Sequence, residues 1–129
     1  MVALRYTDAE YLELIRLANE VGPYAFYLVD SFGTMKRKDM LRFFYMIEHN
    51  LREDIVIGFH SHNNLQLAYA NAQTLVDLQT SRSLILDSSI MGMGRGAGNL
   101  NSELFLEYLN DTPGGSTGSS PCCGSLTGC

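Results

Sequence analysis

The chain has 129 residues, 46% of them hydrophobic and 18% charged, with a formal net charge of −5; this is the profile of one soluble globular domain. The acidic balance argues against a nucleic-acid binder, which needs clustered Lys and Arg to neutralise phosphates. No apolar run approaches the roughly 20 residues that cross a bilayer, and the N-terminus lacks the features of a secretory signal, so a cytoplasmic protein without a membrane partner is expected.

Along the chain, helix and strand patterns alternate. Thr7-Asp8-Ala9-Glu10 has the form of a capping box, in which a hydroxyl and a carboxylate satisfy orphan N–H groups. Tyr11, Leu14, Ile15 and Ala18 follow at helical spacing, and Gly22-Pro23 stops the helix. Tyr24 to Val29 reads as a short buried strand ending at Asp30. Lys36-Arg37-Lys38 is the one basic cluster and reads as the solvated start of a helix running to Leu51, with Met40, Phe44, Ile47 and Leu51 on one face. Ile55 to Phe59 is a second strand, ending at His60. A third helix after Asn63-Asn64 carries Leu65, Ala68, Ala72, Leu75 and Val76. Ser83 to Leu86 is a third strand, ending at Asp87, and a Gly-rich loop leads to a helix over Ser102 to Leu109. Residues 1–110 form the predicted domain. Residues 111–129, nearly all Gly, Ser, Thr, Pro and Cys, form a predicted disordered tail. All three cysteines, Cys122, Cys123 and Cys129, lie in it, so no disulfide framework holds the fold, and their spacing does not match a zinc site.

This order implies an α/β fold, a parallel sheet with crossover helices. The strands are apolar nearly throughout, as expected when both faces are covered. Two architectures use the unit, the doubly wound sheet and the eightfold barrel. A complete barrel needs roughly 250 residues, so a barrel reading makes this chain a part of one.

All three strands end in polar groups: Asp30-Ser31, His60-Ser61-His62 and Asp87-Ser88-Ser89. In parallel α/β folds ligands bind at these strand ends. His60 and His62 stand at i and i+2, so both imidazoles project to one side. Neutral imidazole is the commonest protein metal ligand, and the pair is a candidate divalent-metal site; the alternative is two hydrogen-bonded polar residues in a β–α loop. Gly92-Met93-Gly94-Arg95-Gly96-Ala97-Gly98-Asn99 can wrap a phosphate, shape a site wall or make a tight turn. Its Gly92, Gly94 and Ala97 formally match a dinucleotide fingerprint, although no further strand follows to complete the unit. His49 and the methionines read as a solvated group and as gap fillers. Tyr6, Tyr11, Tyr24, Tyr27, Tyr45, Tyr69 and Tyr108 read as packing residues. Glu103 reads as a first-turn carboxylate facing the helix dipole.

Three segments together resemble one family. They are Val29-Asp30-Ser31-Phe32-Gly33-Thr34-Met35; Gly58-Phe59-His60-Ser61-His62-Asn63-Asn64-Leu65 with Ala68-Tyr69-Ala70-Asn71; and Asp87 through Asn99. The family is that of 3-hydroxy-3-methylglutaryl-CoA lyase, isopropylmalate synthase and 4-hydroxy-2-oxovalerate aldolase, with the aldolase branch most similar. The resemblance covers roughly residues 24–109. It implies a partial (β/α)₈ TIM barrel, about strands 6–8, and a carbon–carbon lyase that cleaves a 4-hydroxy-2-oxo acid to pyruvate and an aldehyde. It implies Mn²⁺ or Mg²⁺ held by His60 and His62, with Asn99 as a further ligand and a third ligand from an Arg-Asp pair on a first strand outside this chain. Asp30 and Ser31 match the catalytic segment near substrate, and Asp87, Gly94, Gly96 and Gly98 match the substrate loop. The implied partners are a small 2-oxo acid and a partner aldehyde dehydrogenase or a second copy of the chain. A Claisen-type acyltransferase of the same superfamily, and a nucleotide-binding or non-catalytic module, are the competing readings.

Overall fold

The computed structural model describes residues 3–111. A 3₁₀ turn, Ala3–Arg5, precedes helix α1, Asp8–Val21. The capping box forms as the sequence suggests. Glu10 N–H donates to the Thr7 hydroxyl at 3.3 Å, and Thr7 N–H donates to the Glu10 carboxylate at 2.8 Å. These bonds hold the Glu10 carboxyl below its ordinary range, the backbone bond contributing most. Gly22 then turns left-handed at φ 65 and ends the helix, as a residue without Cβ does cheaply.

Strands β1 (Ala25–Asp30), β2 (Val56–Ser61) and β3 (Leu84–Leu86) pair in parallel in the order β1-β2-β3. Helices α2 (Arg37–Asn50) and α3 (Ala68–Asp77) cross between them, and α4 (Ser102–Asp111) follows. β2 runs two residues beyond its predicted end, because Val29 pairs with His60 and Asp30 with Ser61. Its extension places His60 on the strand proper rather than on a loop.

Strand alternation separates two faces. Phe26, Leu28, Ile57, Phe59, Leu84 and Leu86 join Tyr11 and Ile15 of α1, Met40, Phe43, Phe44 and Ile47 of α2, and Leu75 of α3 in one core. Tyr27, Val29, Gly58, His60 and Ile85 point to the other side. Helices therefore cover one face only, which corrects the expectation of two covered faces. The strands are apolar on both sides for different reasons: one side packs on helices, the other is the inner side of a wall. A doubly wound sheet has helices on both faces, whereas a barrel has them all outside, so this arrangement is of the barrel type.

Arg82, in the turn before β3, fastens the helix layer to the sheet. Its guanidinium donates to the carbonyls of Glu48, Leu51, Arg52 and Ile55, closing the C-terminal end of α2 over the entry to β2. A second cluster joins Ala68 and Ala72 of α3 to Leu100 and to Phe105 of α4. No described helix is long and apolar enough to cross a membrane. α4 continues to Asp111, one residue past the expected domain end; the rest of the predicted tail, with its cysteines, lies outside the described residues.

Candidate metal centre

The two histidines do share one side. The His60 and His62 rings lie with centroids 5.2 Å apart and planes at 84°. His60 Nδ1 is 3.2 Å from an oxygen of Asp87, just past the end of β3. The other oxygen of Asp87 accepts a loose hydrogen bond from the Tyr27 hydroxyl at 3.3 Å. Tyr27 reaches that far because its ring lies over Gly58, where an added Cβ would meet the ring at 2.6 Å. Burial raises the Tyr27 phenol above its ordinary range, and the Asp87 carboxylate adds to that. Tyr27 is thus a site-face residue, not the packing residue its sequence context suggests. The signal that identifies it is the glycine paired opposite it in β2.

Three loops are laced together above the strand ends. Gly33 N–H lies 3.2 Å from the Asp30 carbonyl, Leu65 N–H donates to the Gly33 carbonyl, and Asn63 N–H donates to the Gly98 carbonyl at 2.8 Å. Gly33, at φ 61, lies so close to the exit of β2 that a Cβ would meet the His62 carbonyl at 2.7 Å. Gly98, at φ 91, is constrained harder, since a Cβ would meet the Gly92 carbonyl oxygen at 2.2 Å.

The Gly-rich loop delivers Asn99 beside His62, with which it forms an antiparallel bridge. The Asn99 amide nitrogen donates to the Met93 carbonyl at 3.1 Å, while its oxygen is buried and has no hydrogen-bond partner among the described residues. Such an orphan is costly unless something binds it. Gly94 makes room for this side chain, because a Cβ there would stand 2.5 Å from the Asn99 amide nitrogen. Gly96 lies against the Asn64 side chain, 3.3 Å from a Cβ at that position. Two imidazoles and an orphaned amide oxygen fit a divalent ion that takes mixed nitrogen and oxygen ligands. Among the described residues no group of three or more His, Cys, Asp or Glu side chains could hold a metal.

Asp30 is placed differently. It pairs with Ser61, one step out of phase with His60, so its carboxylate lies on the helix side, where it is 2% exposed. It accepts from the N–H groups of Thr34 and Met35 at 3.2 and 2.9 Å. Asn71 of α3, also buried, donates to the Met35 carbonyl at 2.9 Å. Asp30 and Asn71 therefore hold the β1–α2 loop from two sides, with the Asp30 carboxylate turned to the helix side of the sheet. Ser31 follows it in the same loop. Glu103 sits in the first turn of α4 as expected, and both of its oxygens accept from Met91 N–H at 3.1 and 2.9 Å, pinning the start of the Gly-rich loop. His49 is exposed and bonded to the Tyr45 carbonyl of its own helix.

A family model described as HMGL-like matches residues 1–114. The chain belongs to the HMGL-like family. Within it, the chain is 37% identical over 105 residues to a 4-hydroxy-2-oxovalerate aldolase of Shewanella woodyi, covering 81% of this chain and 30% of that protein. It is 37% identical over 92 residues to an oxaloacetate decarboxylase of Mycobacterium tuberculosis, covering 71% of this chain and 26% of that protein. A crystal structure of the N-terminal domain of a candidate aldolase from Bacteroides vulgatus superposes with a TM-score of 0.67 at 36% identity, over 78% of this chain and 31% of that one. This HMGL-like chain thus spans under a third of the length of these relatives, which are aldolases and lyases.

Proposed function

We propose that this HMGL-like chain supplies the metal-binding wall, about strands 6–8, of a (β/α)₈ barrel. Completed, that barrel cleaves the carbon–carbon bond of a 4-hydroxy-2-oxo acid to give pyruvate and an aldehyde. The observation that carries the reading is the pair His60 and His62 on one side of β2, beside the orphaned oxygen of Asn99. Mn²⁺ or Mg²⁺ would be held by these three residues together with a carboxylate from elsewhere in the barrel. When bound, the ion supplies Lewis-acid polarisation of the 2-oxo carbonyl and stabilises the negative charge that develops as the carbon–carbon bond breaks.

The chain's own residues do the positioning. His60 projects from the paired strand β2, and His62 follows one residue past its end, held by its bridge to Asn99 and by its N–H donating to the Asp30 carbonyl, so both rings stand on anchored backbone. Gly94 and Gly98 let the loop wrap tightly enough to bring Asn99 into its bridge with His62. Asp30 and Asn71 set the height of the β1–α2 loop, which forms one rim of the mouth. Ser31, in that rim, is proposed as the residue that would meet substrate, on the strength of the family resemblance of its segment. The nucleotide-binding reading loses its footing, because the Gly-rich loop closes onto Asn63 and Asn99 instead of framing a helix N-terminus.

A second reading has a specific observation in its favour, the similarity to a protein named oxaloacetate decarboxylase. Decarboxylating oxaloacetate and cleaving a 4-hydroxy-2-oxo acid leave the same pyruvate carbanion, and they differ in whether CO₂ or an aldehyde departs. One experiment tests both. Residues 3–111 replace the matching segment of the Shewanella woodyi protein, and pyruvate release is followed with each substrate in Mn²⁺ buffer. The aldolase reading predicts aldehyde and pyruvate in equal amounts, lost on chelation and reduced at least about a hundredfold by His60→Ala or His62→Ala, as removal of a ligand to the ion that stabilises the transition state implies. Full activity after chelation contradicts it, and pyruvate from oxaloacetate alone favours the second reading.

A further inference from the structure

Asp87 is an ionisable side chain in contact with the histidine pair, and both of its oxygens are engaged. One faces His60 Nδ1 at 3.2 Å, and the other accepts from the Tyr27 hydroxyl at 3.3 Å. The three residues come from three neighbouring strands: Tyr27 on β1, paired with Gly58 two residues before His60 on β2, and Asp87 at the exit of β3, where Asp87 N–H donates to the Phe59 carbonyl at 3.0 Å. That backbone bond anchors Asp87 to the residue before His60, so the carboxylate cannot drift away from the ring. The tyrosine crosses the middle strand only because that strand has Gly58 at the crossing point.

We infer that Asp87, held by Tyr27, is a positioning residue for His60. It accepts the Nδ1 proton, which selects one tautomer, fixes the ring plane and leaves Nε2 with its lone pair directed into the site. A neutral imidazole donates from one nitrogen and accepts at the other, so the partner of one nitrogen decides what the other can do. A carboxylate is an acceptor only and thus forces the proton onto Nδ1. Tyr27 adds a donor to the second carboxylate oxygen, which stops Asp87 from rotating toward solvent, where its side chain is 43% exposed. Without this network His60 is free to take the other tautomer, and its site-facing nitrogen becomes a donor that repels a cation.

The purpose assigned to this network rests on the metal reading above, but the network itself is measurable with no metal present. Long-range ¹H–¹⁵N correlation spectra of the imidazoles, taken on the 129-residue chain above the histidine titration range, report which nitrogen of His60 is protonated. The expected native result is a pyrrole-like Nδ1 and a pyridine-like Nε2. Asp87→Leu should remove that preference and Asp87→Asn, which keeps an acceptor oxygen, should retain it; Tyr27→Phe should weaken it. His49, on α2, serves as a ring outside the network. A native His60 protonated at Nε2 overturns the inference without need of any variant, and so does an unchanged tautomer in a folded Asp87→Leu. Mn²⁺ titration read by water proton relaxation then separates the two claims. The positioning role predicts affinity on the order of 10–100-fold lower in Asp87→Leu. Equal affinity in the two proteins overturns the positioning role alone. A native chain with the expected tautomer and no Mn²⁺ binding overturns the metal reading, and with it the purpose assigned here.

Discussion

Tyr11 shows how a residue can pack well and still be chemically constrained. Its ring stands 4.6 Å from that of Phe43 and 6.1 Å from that of Phe26 in edge-on contacts, which suits aromatic quadrupoles. Its hydroxyl is buried with no hydrogen-bond partner among the described residues, and burial drives the phenol well above its ordinary value of 10.0. A raised folded-state value means that the native state holds this proton more tightly than the unfolded chain does. The stabilisation is complete below about pH 10 and is lost as pH climbs through the folded value. Tyr11→Phe removes both the orphan group and the proton linkage. The expected outcome is a Tm at neutral pH equal to or above that of the parent, with loss of structure in base starting at higher pH. A melting series in alkaline buffers checks this; a variant several degrees less stable at neutral pH would mean that the hydroxyl has a partner.

The same scale shows what the sequence could and could not reveal of the site. That His60 and His62 face one way follows from strand periodicity, because β2 extends through Ser61. Asp30 stands next to an equally suggestive strand end, yet alternation turns it to the helix side. Reading that in advance needs the register between β1 and β2, which depends on long-range pairing and not on local pattern. Tyr27 was hidden for the same reason: its reach to Asp87 spans a strand that only the fold places between them. Asn99 could be placed near the site by resemblance, but the orphaned oxygen that makes it a plausible ligand is a property of packing alone.

At the scale of elements, the capping box, the Gly22 stop and the amphipathic faces of α1 and α2 were legible because each depends on a few neighbouring residues. The role of Arg82 was not, since its four acceptors lie about thirty positions earlier in the chain. A single guanidinium serves the Glu48 and Leu51 carbonyls at the end of α2, where helix acceptors have no intrahelical donor, and the Arg52 and Ile55 carbonyls of the turn that follows. Charged donors to carbonyls are individually worth about 1.5–3 kcal/mol. Arg82→Ala is therefore expected to destabilise the chain by about 2 kcal/mol, well below the simple sum of four bonds because water can take over the freed acceptors. Arg82→Lys, a point donor without the planar fork, should recover only part of that. Urea unfolding midpoints measure both; an Arg82→Ala variant as stable as the parent would show that the carbonyls are satisfied without it.

For the whole molecule, the one-sided helix layer is the feature that separates the barrel type from the doubly wound type, and composition could not supply it. Apolar strands are equally consistent with helices on both faces and with a barrel interior. The consequence is a sheet whose inner face and two outer edges have no partner among the described residues, with Tyr24 at the rim 79% exposed. Unpaired edges and contiguous apolar surface promote association. The 129-residue chain is therefore expected to self-associate as its concentration rises, which light scattering across a dilution series measures. A single monomeric species at the highest concentration would show that the open face is already covered.

The central claim is that His60, His62 and Asn99 converge on one divalent cation. Anomalous diffraction at the manganese edge from crystals soaked in Mn²⁺ tests it directly. The account predicts one strong peak at the C-terminal end of β2, within bonding distance of both imidazoles and the Asn99 oxygen. Peaks confined to surface carboxylates or to His49, with none between the two rings, would contradict it.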